Sequence, residues 1–223
     1  APGESFVNSK QRRVPVSLDA PVFTLTHAMG FKGVLGGEYN FNRTEASIWK
    51  RFWLPASWGK IDCSVKAGAE WNTVPFPLLI LPEANLSYIT QRETFCLINN
   101  MEFLNDRFAS MSISYDMNGK LFNRIPLLKN LKWREMFRVR ALWGTLTDKN
   151  NPFKSSNPDL FRFPTRDGKF TSFVMDPKVP YVEASVGIYN IFKLLHVEYV
   201  HRFTYRDNPG INKNGIRFMV LMV

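Results

Sequence analysis

The sequence predicts an all-β fold, a transmembrane antiparallel β-barrel to which this chain contributes about eight strands. Three observations predict it. Apolar and polar residues alternate along segment after segment, as they do in strands with two different faces. The alternating segments run to about ten residues, against about five or six in an ordinary soluble strand. Aromatic residues collect at the segment ends, which is where a membrane interface holds them.

The alternation is clearest in the middle of the chain. Between positions 61 and 71 the odd positions include Ile61, Cys63 and Val65, whereas the even positions include Asp62 and Ser64. The predicted strands, of which the first two have the weaker pattern, are 21–31, 39–53, 61–71, 108–118, 133–143, 182–188, 195–206 and 216–222. The aromatic residues at segment ends are Trp53, Trp71, Trp133, Trp143 and Tyr205. The residues expected to face lipid include Val65, Ile113, Val139 and Val197.

Composition agrees with a membrane protein that crosses with strands. Hydrophobic residues make up 45% of the 223 residues, yet the mean hydropathy is -0.19, so apolar residues are interleaved with polar ones. No apolar run is long enough for a spanning helix. The net charge of +10 would suit a nucleic-acid binder, but no Lys or Arg cluster lies on a nucleic-acid-reading motif, so no such partner is expected.

The connections between the predicted strands differ in length. Short connections at 54–60, 125–131 and 189–192 are expected at the periplasmic end, because short turns are periplasmic in such barrels. The connections at 147–180 and 207–214 are then extracellular. The stretch 72–107 joins an upward strand to a downward one, so it cannot contain a single crossing. The apolar segment Phe95–Phe103 is therefore not expected to be a strand, and the stretch is expected to fold back into the barrel mouth.

The chain is expected to divide into a lead-in from a preceding strand or loop at 1–19 and barrel strands at 20–223. The first residues have no apolar core of the signal-peptide kind, so we expect that biosynthesis does not begin at residue 1. An eight-stranded barrel has an interior just wide enough for its own side chains. It could not also hold the long connection at 72–107. We therefore expect that these eight strands do not close on themselves.

Several segments resemble one family of known sequences. They are APGESF, THAMGFKGVLGGEYNFNRTEASIWKRFW, VPFPLLILPEANLSY, NMEFLNDRFAS, FNRIPLLKNLKWRE, TDKNNP, PYVEASVGIYNIFKLL and RFTYRDNPGINKNGIRF. Together they resemble the C-terminal barrel of an uncharacterised Bacteroidetes outer-membrane family in which a carboxypeptidase-regulatory-like domain precedes the barrel. That barrel is in turn similar to the bacterial surface-antigen superfamily of sixteen-stranded barrels, which includes the BamA and TamA insertases.

The resemblance implies that the chain is the C-terminal half of a sixteen-stranded barrel in the bacterial outer membrane. It places the connection at 72–107 at the superfamily's sixth extracellular loop, which folds into the lumen. That loop carries an arginine-glycine-aromatic motif in the superfamily, and this sequence has no such tripeptide there; its nearest arginines are Arg92 and Arg107. The residues that carry the loop's role in the superfamily therefore cannot be assigned to positions of this sequence, and insertase activity is not implied by them. The expected partners are outer-membrane lipid and other outer-membrane or periplasmic proteins.

Charged residues on the inward register are the candidate site. We expect Arg92 or Arg107 to pair with an inward acid, because a buried charge without a partner is costly. The candidate acids are Asp62, Glu70, Asp116, Glu183 and Glu198. The expected basic wall is Arg134, Arg138, Arg140, Arg202, Arg206 and Arg217. A hydrated ladder of ion pairs that braces the wall is an alternative, and a channel for an anionic substrate is another.

Catalytic chemistry has little support in the sequence. Of three histidines, His196 and His201 lie on opposite faces of one strand and cannot bind one metal ion. His196 with Ser185 is the one nucleophile–base pair that can be constructed, and a polar lumen explains both. No catalytic residue, metal or cofactor is expected. The expected function is non-enzymatic: envelope biogenesis by protein insertion, translocation or scaffolding, with a pore for a small anionic or nutrient substrate and a structural partner subunit as alternatives.

Overall fold

The chain is all-β and is built on one antiparallel sheet of eight strands. The computed structural model describes residues 5–8, 10, 12–16, 19–89, 91, 93–154, 160, 163, 165–166 and 168–220. The strands are β1 (Phe6–Asn8), β2 (Arg13–Pro15), β3 (Val22–Gly30), β4 (Phe41–Trp53), β5 (Lys60–Glu70), β6 (Arg107–Asp116), β7 (Arg134–Thr145), β8 (Thr165–Arg166), β9 (Lys169–Phe170), β10 (Tyr181–Ile191), β11 (Leu195–Arg202) and β12 (Asn214–Val220). The helices are α1 (Pro126–Leu131) and three 3₁₀ turns at Phe76–Leu78, Phe122–Arg124 and Asp148–Asn150.

The large sheet contains the eight strands that the alternating pattern predicts. Its order is β3-β4-β5-β6-β7-β10-β11-β12, so each of the eight pairs with the next one along the chain. Within the described residues β3 and β12 do not pair with each other, and the sheet is open, in agreement with the expectation that it does not close on itself. The short strands form two further pairs, β1 with β2 and β8 with β9.

β11 ends four residues earlier than predicted. The pattern extends β11 to position 206, but the strand ends at Arg202. There the chain turns, with Tyr205 at a φ of 52°. The Arg202 guanidinium donates to the carbonyl oxygens of Thr204, at 3.0 Å, and Tyr205, at 2.7 Å. The turn is thus held by the last side chain of the strand, and Arg206 lies outside the sheet.

The two faces of the sheet differ in chemistry, as strand alternation requires. One face, here called the polar face, has Asp62 and Ser64 on β5 and Arg138 and Arg140 on β7. The pairing registers place Ser114 of β6 between Asp62 and Arg138, and Ser112 of β6 between Ser64 and Arg140. The opposite face, here called the apolar face, leaves many large hydrophobic side chains exposed. These are Phe23, Leu25, Ile48, Phe52, Val65, Phe137, Val139, Trp143, Val186, Tyr199, Ile216, Phe218 and Val220.

The strand connections at one end of the sheet have 6, 17 and 3 residues and are here called the short connections, because they are on average shorter than those at the other end, which have 10, 36, 35 and 11 residues. At the first end are the connections 54–59, 117–133 and 192–194; at the second are 31–40, 71–106, 146–180 and 203–213. The stretch 71–106, here called the long connection, has no residue in the eight-stranded sheet among those described. It is held by isolated bridges such as Ile80 with Asn105. The prediction that Phe95–Phe103 is not a strand is confirmed.

The hydrophobic core lies on the polar face, under the long connection. One cluster joins Phe95, Ile98 and Phe103 of the connection to Leu142 and Tyr181 of the sheet, and Met175 completes it. A second cluster contains Val74, Leu79 and Leu104 of the connection together with Leu146 and Phe163. No helix in the described part of the chain is long and apolar enough to cross a membrane.

Candidate functional site

The candidate site is the contact between the long connection and the polar face, and Glu183 on β10 is at its centre. This side chain is 1% exposed. Its carboxylate accepts hydrogen bonds from the main-chain N–H groups of Cys96, at 2.9 Å, and Leu97, at 3.1 Å. It also accepts from the Arg140 guanidinium at 3.0 Å and the Tyr181 hydroxyl at 2.9 Å. Donors thus surround a buried carboxylate, and two of them belong to the connection.

Arg202 on β11 makes the second buried contact. Its guanidinium forms a two-pronged ion pair with Glu102 of the long connection, at 3.0 and 2.5 Å, and donates to the Leu97 carbonyl at 3.2 Å. With the carbonyls of Thr204 and Tyr205, all five of its N–H donors have acceptors. Both charged side chains are at most 2% exposed. Because each charge is fully paired, the cost of burying it is offset only while the connection stays in place.

Two further arginines surround Cys96. Arg140 donates to the Cys96 sulfur at 3.3 Å, and Arg217 on β12 donates to the Cys96 carbonyl oxygen at 2.6 Å. Burial raises the pKa of the Cys96 thiol, and the field of Arg140 opposes that shift. Cys96 and Cys63 are both free. Cys96 therefore marks the point at which wall charges from β7, β10 and β12 meet the main chain of the connection.

Both ends of the long connection are held by buried acids. Glu70, the last residue of β5, accepts hydrogen bonds from the N–H groups of Asn42 at 2.9 Å and Asn72 at 3.2 Å. Asp106, just before β6, accepts from the Thr147 N–H at 3.1 Å and the Asn150 side chain at 2.9 Å. These contacts fix where the connection leaves the sheet and where it returns.

Small residues on the polar face let the connection approach closely. A Cβ on Gly144 of β7 would lie 2.4 Å from the Asn105 side-chain oxygen, and a Cβ on Gly215 of β12 would lie 3.0 Å from the Leu97 side chain. Larger residues at these positions would displace the connection. The polar face is therefore fitted to the connection in shape as well as in charge.

The five predicted acids divide into two groups. Glu183 and Glu70 bind main-chain groups of the long connection. Asp62, Asp116 and Glu198 pair with the wall instead: Asp62 with Arg51, Asp116 with Lys60 and Tyr189, and Glu198 with Arg138 and His196. Both the anchoring hypothesis and the bracing-ladder hypothesis thus describe part of the same face.

The predicted arginines divide in the same way. Arg140, Arg202 and Arg217 contact the connection, Arg138 pairs with Glu198, and Arg134 and Arg206 are exposed. Arg92 lies outside the described residues. Arg107 is exposed on the register of Ala109 and Met111, the apolar face, and the ion pairs found in the described part of the chain do not include it. The expected pairing of Arg107 with an inward acid is therefore corrected.

The structure reverses the expected polarity of the anchor. We expected an arginine on the connection and an acid on the wall, whereas the central pair has its acid, Glu102, on the connection and its arginine, Arg202, on the wall. The sequence contains a signal for this that we missed: Glu102 is a lone acid in the apolar segment INNMEFL. An acid in such a segment needs a buried partner.

The remaining polar groups form contacts and a cavity. His196 Nε2 lies 3.0 Å from Glu198 Oε2, and no group of three His, Cys, Asp or Glu residues in the described part of the chain could hold a metal ion. Toward the short connections the polar face lines a cavity of about 720 Å³, and Glu83, Glu93 and Phe95 of the long connection line it as well. Asp62, Ser64, Ser112, Arg138 and His196 are among its lining residues.

The fold and the site define an all-β protein whose eight-stranded sheet binds its own long connection through buried charges. Residues 1–153 match the family described as "Family of unknown function (DUF5686) C-terminal domain". The match covers more than half of the chain, so the chain belongs to this family, and its resemblance to an uncharacterised family is confirmed. It includes the long connection but ends before β10 and β11, which carry Glu183 and Arg202. No curated protein matches the chain.

The Arg202–Glu102 pair predicts how the long connection is released. Replacing Arg202 by Met in a Cys63→Ala background leaves Glu102 buried without its partner, and loss of one member of a buried pair costs about 3–5 kcal/mol. We expect the Cys96 thiol to react with a maleimide much faster in the variant, because undocking exposes it and removes the burial that raises its pKa. The rate of thiol labelling measures this.

Arg51→Met is the matched control for that experiment. Arg51 also forms a two-pronged pair, with Asp62 at 2.6 and 2.9 Å, on the same face but near the short connections. The control is expected to leave the labelling rate of Cys96 unchanged. Equal rates in the parent, Arg202→Met and Arg51→Met proteins would show that the pair does not hold the connection.

Proposed function

We propose that this chain is part of a transmembrane β-barrel of the bacterial outer membrane, with its apolar face toward lipid and its polar face toward the lumen. One observation carries the proposal: the apolar face is exposed over the whole width of the sheet, while the buried core lies on the charged face. A sheet in water hides its apolar face. Exposed apolar patches of this extent mark contact with a membrane or a partner.

The strands support a membrane rather than a protein partner. Six of the eight have nine to thirteen residues, from Val22–Gly30 with nine to Phe41–Trp53 with thirteen, and β11 has eight. Transmembrane strands need roughly nine to eleven residues. Antiparallel pairing satisfies the main-chain groups within the sheet, as hydrocarbon surroundings require. Apart from the bridge between Phe218 of β12 and Ile89 of the long connection, the described residues leave the edges of β3 and β12 unpaired. Further strands at these edges would fit a C-terminal half of a sixteen-stranded barrel related to the surface-antigen superfamily.

Within that barrel we propose a non-enzymatic role in envelope biogenesis, as a plugged scaffold for protein insertion, translocation or assembly. The long connection supports this role, because it covers the polar face at the end of the sheet that also carries the connections 146–180 and 203–213. Buried charges fix it there. Other outer-membrane or periplasmic proteins are the proposed partners. The proposal extends to a Bacteroidetes family with a carboxypeptidase-regulatory-like domain before the barrel.

A pore is the second candidate, and the cavity favours it. The cavity of about 720 Å³ on the polar face is lined by serines and by members of ion pairs, including Arg51, Asp62 and Arg138. In a closed barrel this space would be part of a hydrated lumen, with room for a small polar or anionic substrate. The pore function requires that the long connection leave a path open.

Arginine substitutions on the two faces test the membrane placement. Val65 lies near the middle of β5 on the apolar face, and Ser64 beside it lines the cavity. In the full-length protein folded into phosphatidylcholine vesicles, Val65→Arg is expected to lower the free energy of unfolding by about 2–4 kcal/mol. Ser64→Arg, the control, is expected to change it by less than about 1 kcal/mol. Urea titration measures both, and equal losses would reject the assignment of faces.

Conductance in planar bilayers separates the plugged scaffold from the pore. A plugged barrel is expected to conduct little as the full-length protein and to open discrete steps when Arg202→Met releases the connection. A pore is expected to conduct before any substitution, with little change in the variant. Arg51→Met serves as the control, because it removes a wall charge without touching the anchor. Steps of equal size in all three proteins would exclude the scaffold.

A further inference from the structure

The three short connections form one continuous rim at their end of the sheet. Lys120, in the connection 117–133, donates to the Ala56 carbonyl at 3.0 Å, and its ammonium lies 4.9 Å from the centre of the Trp58 ring. On the other side, Asn190 donates to the Lys132 carbonyl at 2.7 Å. Contacts therefore join the connection 54–59 to 117–133 and 117–133 to the end of β10. These three connections are here called the rim.

Each part of the rim exposes a large apolar side chain. Phe192 is 84% exposed, Leu127 is 76% exposed and Trp58 is 40% exposed. Leu127 and Leu131 are four residues apart in α1, so they lie on one side of that turn of helix, and both are exposed. Such side chains at three neighbouring connections form an apolar surface that the described residues leave exposed.

The charge of the rim is of one sign. In sequence, the segments 54–59, 117–133 and 192–194 contain five basic residues and no acidic one. The segments 31–40, 71–106, 146–180 and 203–213, which connect strands at the opposite end, contain ten basic and ten acidic residues. The basic residues of the rim are Lys120, Arg124, Lys129, Lys132 and Lys193. The acids nearest to it, Asp116 and Glu135, accept hydrogen bonds from Tyr189 and from the Leu121 N–H.

We propose that the rim binds the anionic phospholipid headgroups of the membrane leaflet at this end of the barrel. Arg124, Lys129 and Lys132 are exposed and bind lipid phosphates, while Leu127, Phe192 and Trp58 enter the apolar region just below them. Basic residues beside exposed apolar ones are the chemistry of interfacial segments. The inference rests on the membrane barrel proposed above. It adds the class of lipid that the barrel binds and the end of the barrel at which the lipid is bound.

The arrangement fits a lipid layer better than an acidic protein. A lipid layer presents phosphates in one plane over a hydrocarbon layer. The rim presents basic side chains and exposed apolar side chains together at one end of the sheet, which matches that arrangement. Trp58 carries an indole, which favours the interface between headgroups and hydrocarbon. Basic residues near an anionic membrane surface each add to binding, and the effect is strongest at low salt.

The test uses the full-length protein in vesicles of phosphatidylcholine with and without phosphatidylglycerol. Quenching of tryptophan fluorescence by brominated phosphatidylglycerol, compared with brominated phosphatidylcholine, gives the preference for the anionic lipid at the protein surface. The rim variant combines Arg124→Gln, Lys129→Gln and Lys132→Asn; asparagine suits the φ of 55° at position 132. The control combines Lys178→Gln, Arg206→Gln and Lys213→Gln, which are exposed in long connections at the opposite end.

We expect the parent and the control to prefer phosphatidylglycerol, and the rim variant to lose that preference by roughly tenfold. No preference in the parent, or an equal loss in both variants, would overturn the inference and leave the barrel proposal intact, because the protein would still be inserted. An acidic protein as the true partner gives the same lack of preference. Failure of all three proteins to insert into either vesicle would instead reject the membrane barrel and this inference with it.

Discussion

The long connection has no neighbouring strand over most of its length, so its buried peptide groups need hydrogen-bond partners from elsewhere. Glu183 supplies them for the N–H groups of Cys96 and Leu97, and Arg202 and Arg217 supply them for the carbonyls of Leu97 and Cys96. The charged wall and the irregular connection therefore depend on each other. Without the connection these charges would lose buried partners; without the charges the peptide groups would be unsatisfied.

The same constraint explains why the sheet has its core on the charged face. Glu183, Glu198, Arg140 and Arg202 are each at most 2% exposed, because the connection or neighbouring strands cover them. Apolar side chains of the connection, such as Phe103 and Leu104, fill the space between the ion pairs and exclude water. The opposite face then remains as a broad apolar surface, whose solvent in the proposed barrel is lipid. The charged face that anchors the connection and the broad apolar face are thus two consequences of one alternating pattern.

Much of the fold could be predicted from the sequence, because strand alternation with period two is a local property. The eight sheet strands and the irregular nature of the long connection follow from it. The outward register of Arg107 follows too, because Arg107 and Ala109 are two residues apart and lie on the same face. The predicted ion pair between Arg107 and an inward acid did not take that register into account. The partners of the wall charges could not be predicted. They depend on the path of the connection, which brings Glu102 to Arg202 across 100 residues. The short pairs β1–β2 and β8–β9 were also missed, since two or three residues carry no readable period.

The claim that one face meets lipid while the other holds the connection is tested most directly by spin labels placed in turn from 136 to 143 on β7. Their accessibility to oxygen and to a water-soluble nickel complex is measured in the full-length protein in lipid vesicles. We expect a period of two: labels at Phe137, Val139 and Trp143, which are exposed on the apolar face, are reached by oxygen from the lipid. Labels at Arg140 and Leu142, under the long connection, are reached by neither reagent, and a label at Arg138 is reached by the nickel complex through the cavity. Access of the nickel complex to the first group, or a flat profile along the strand, would contradict it.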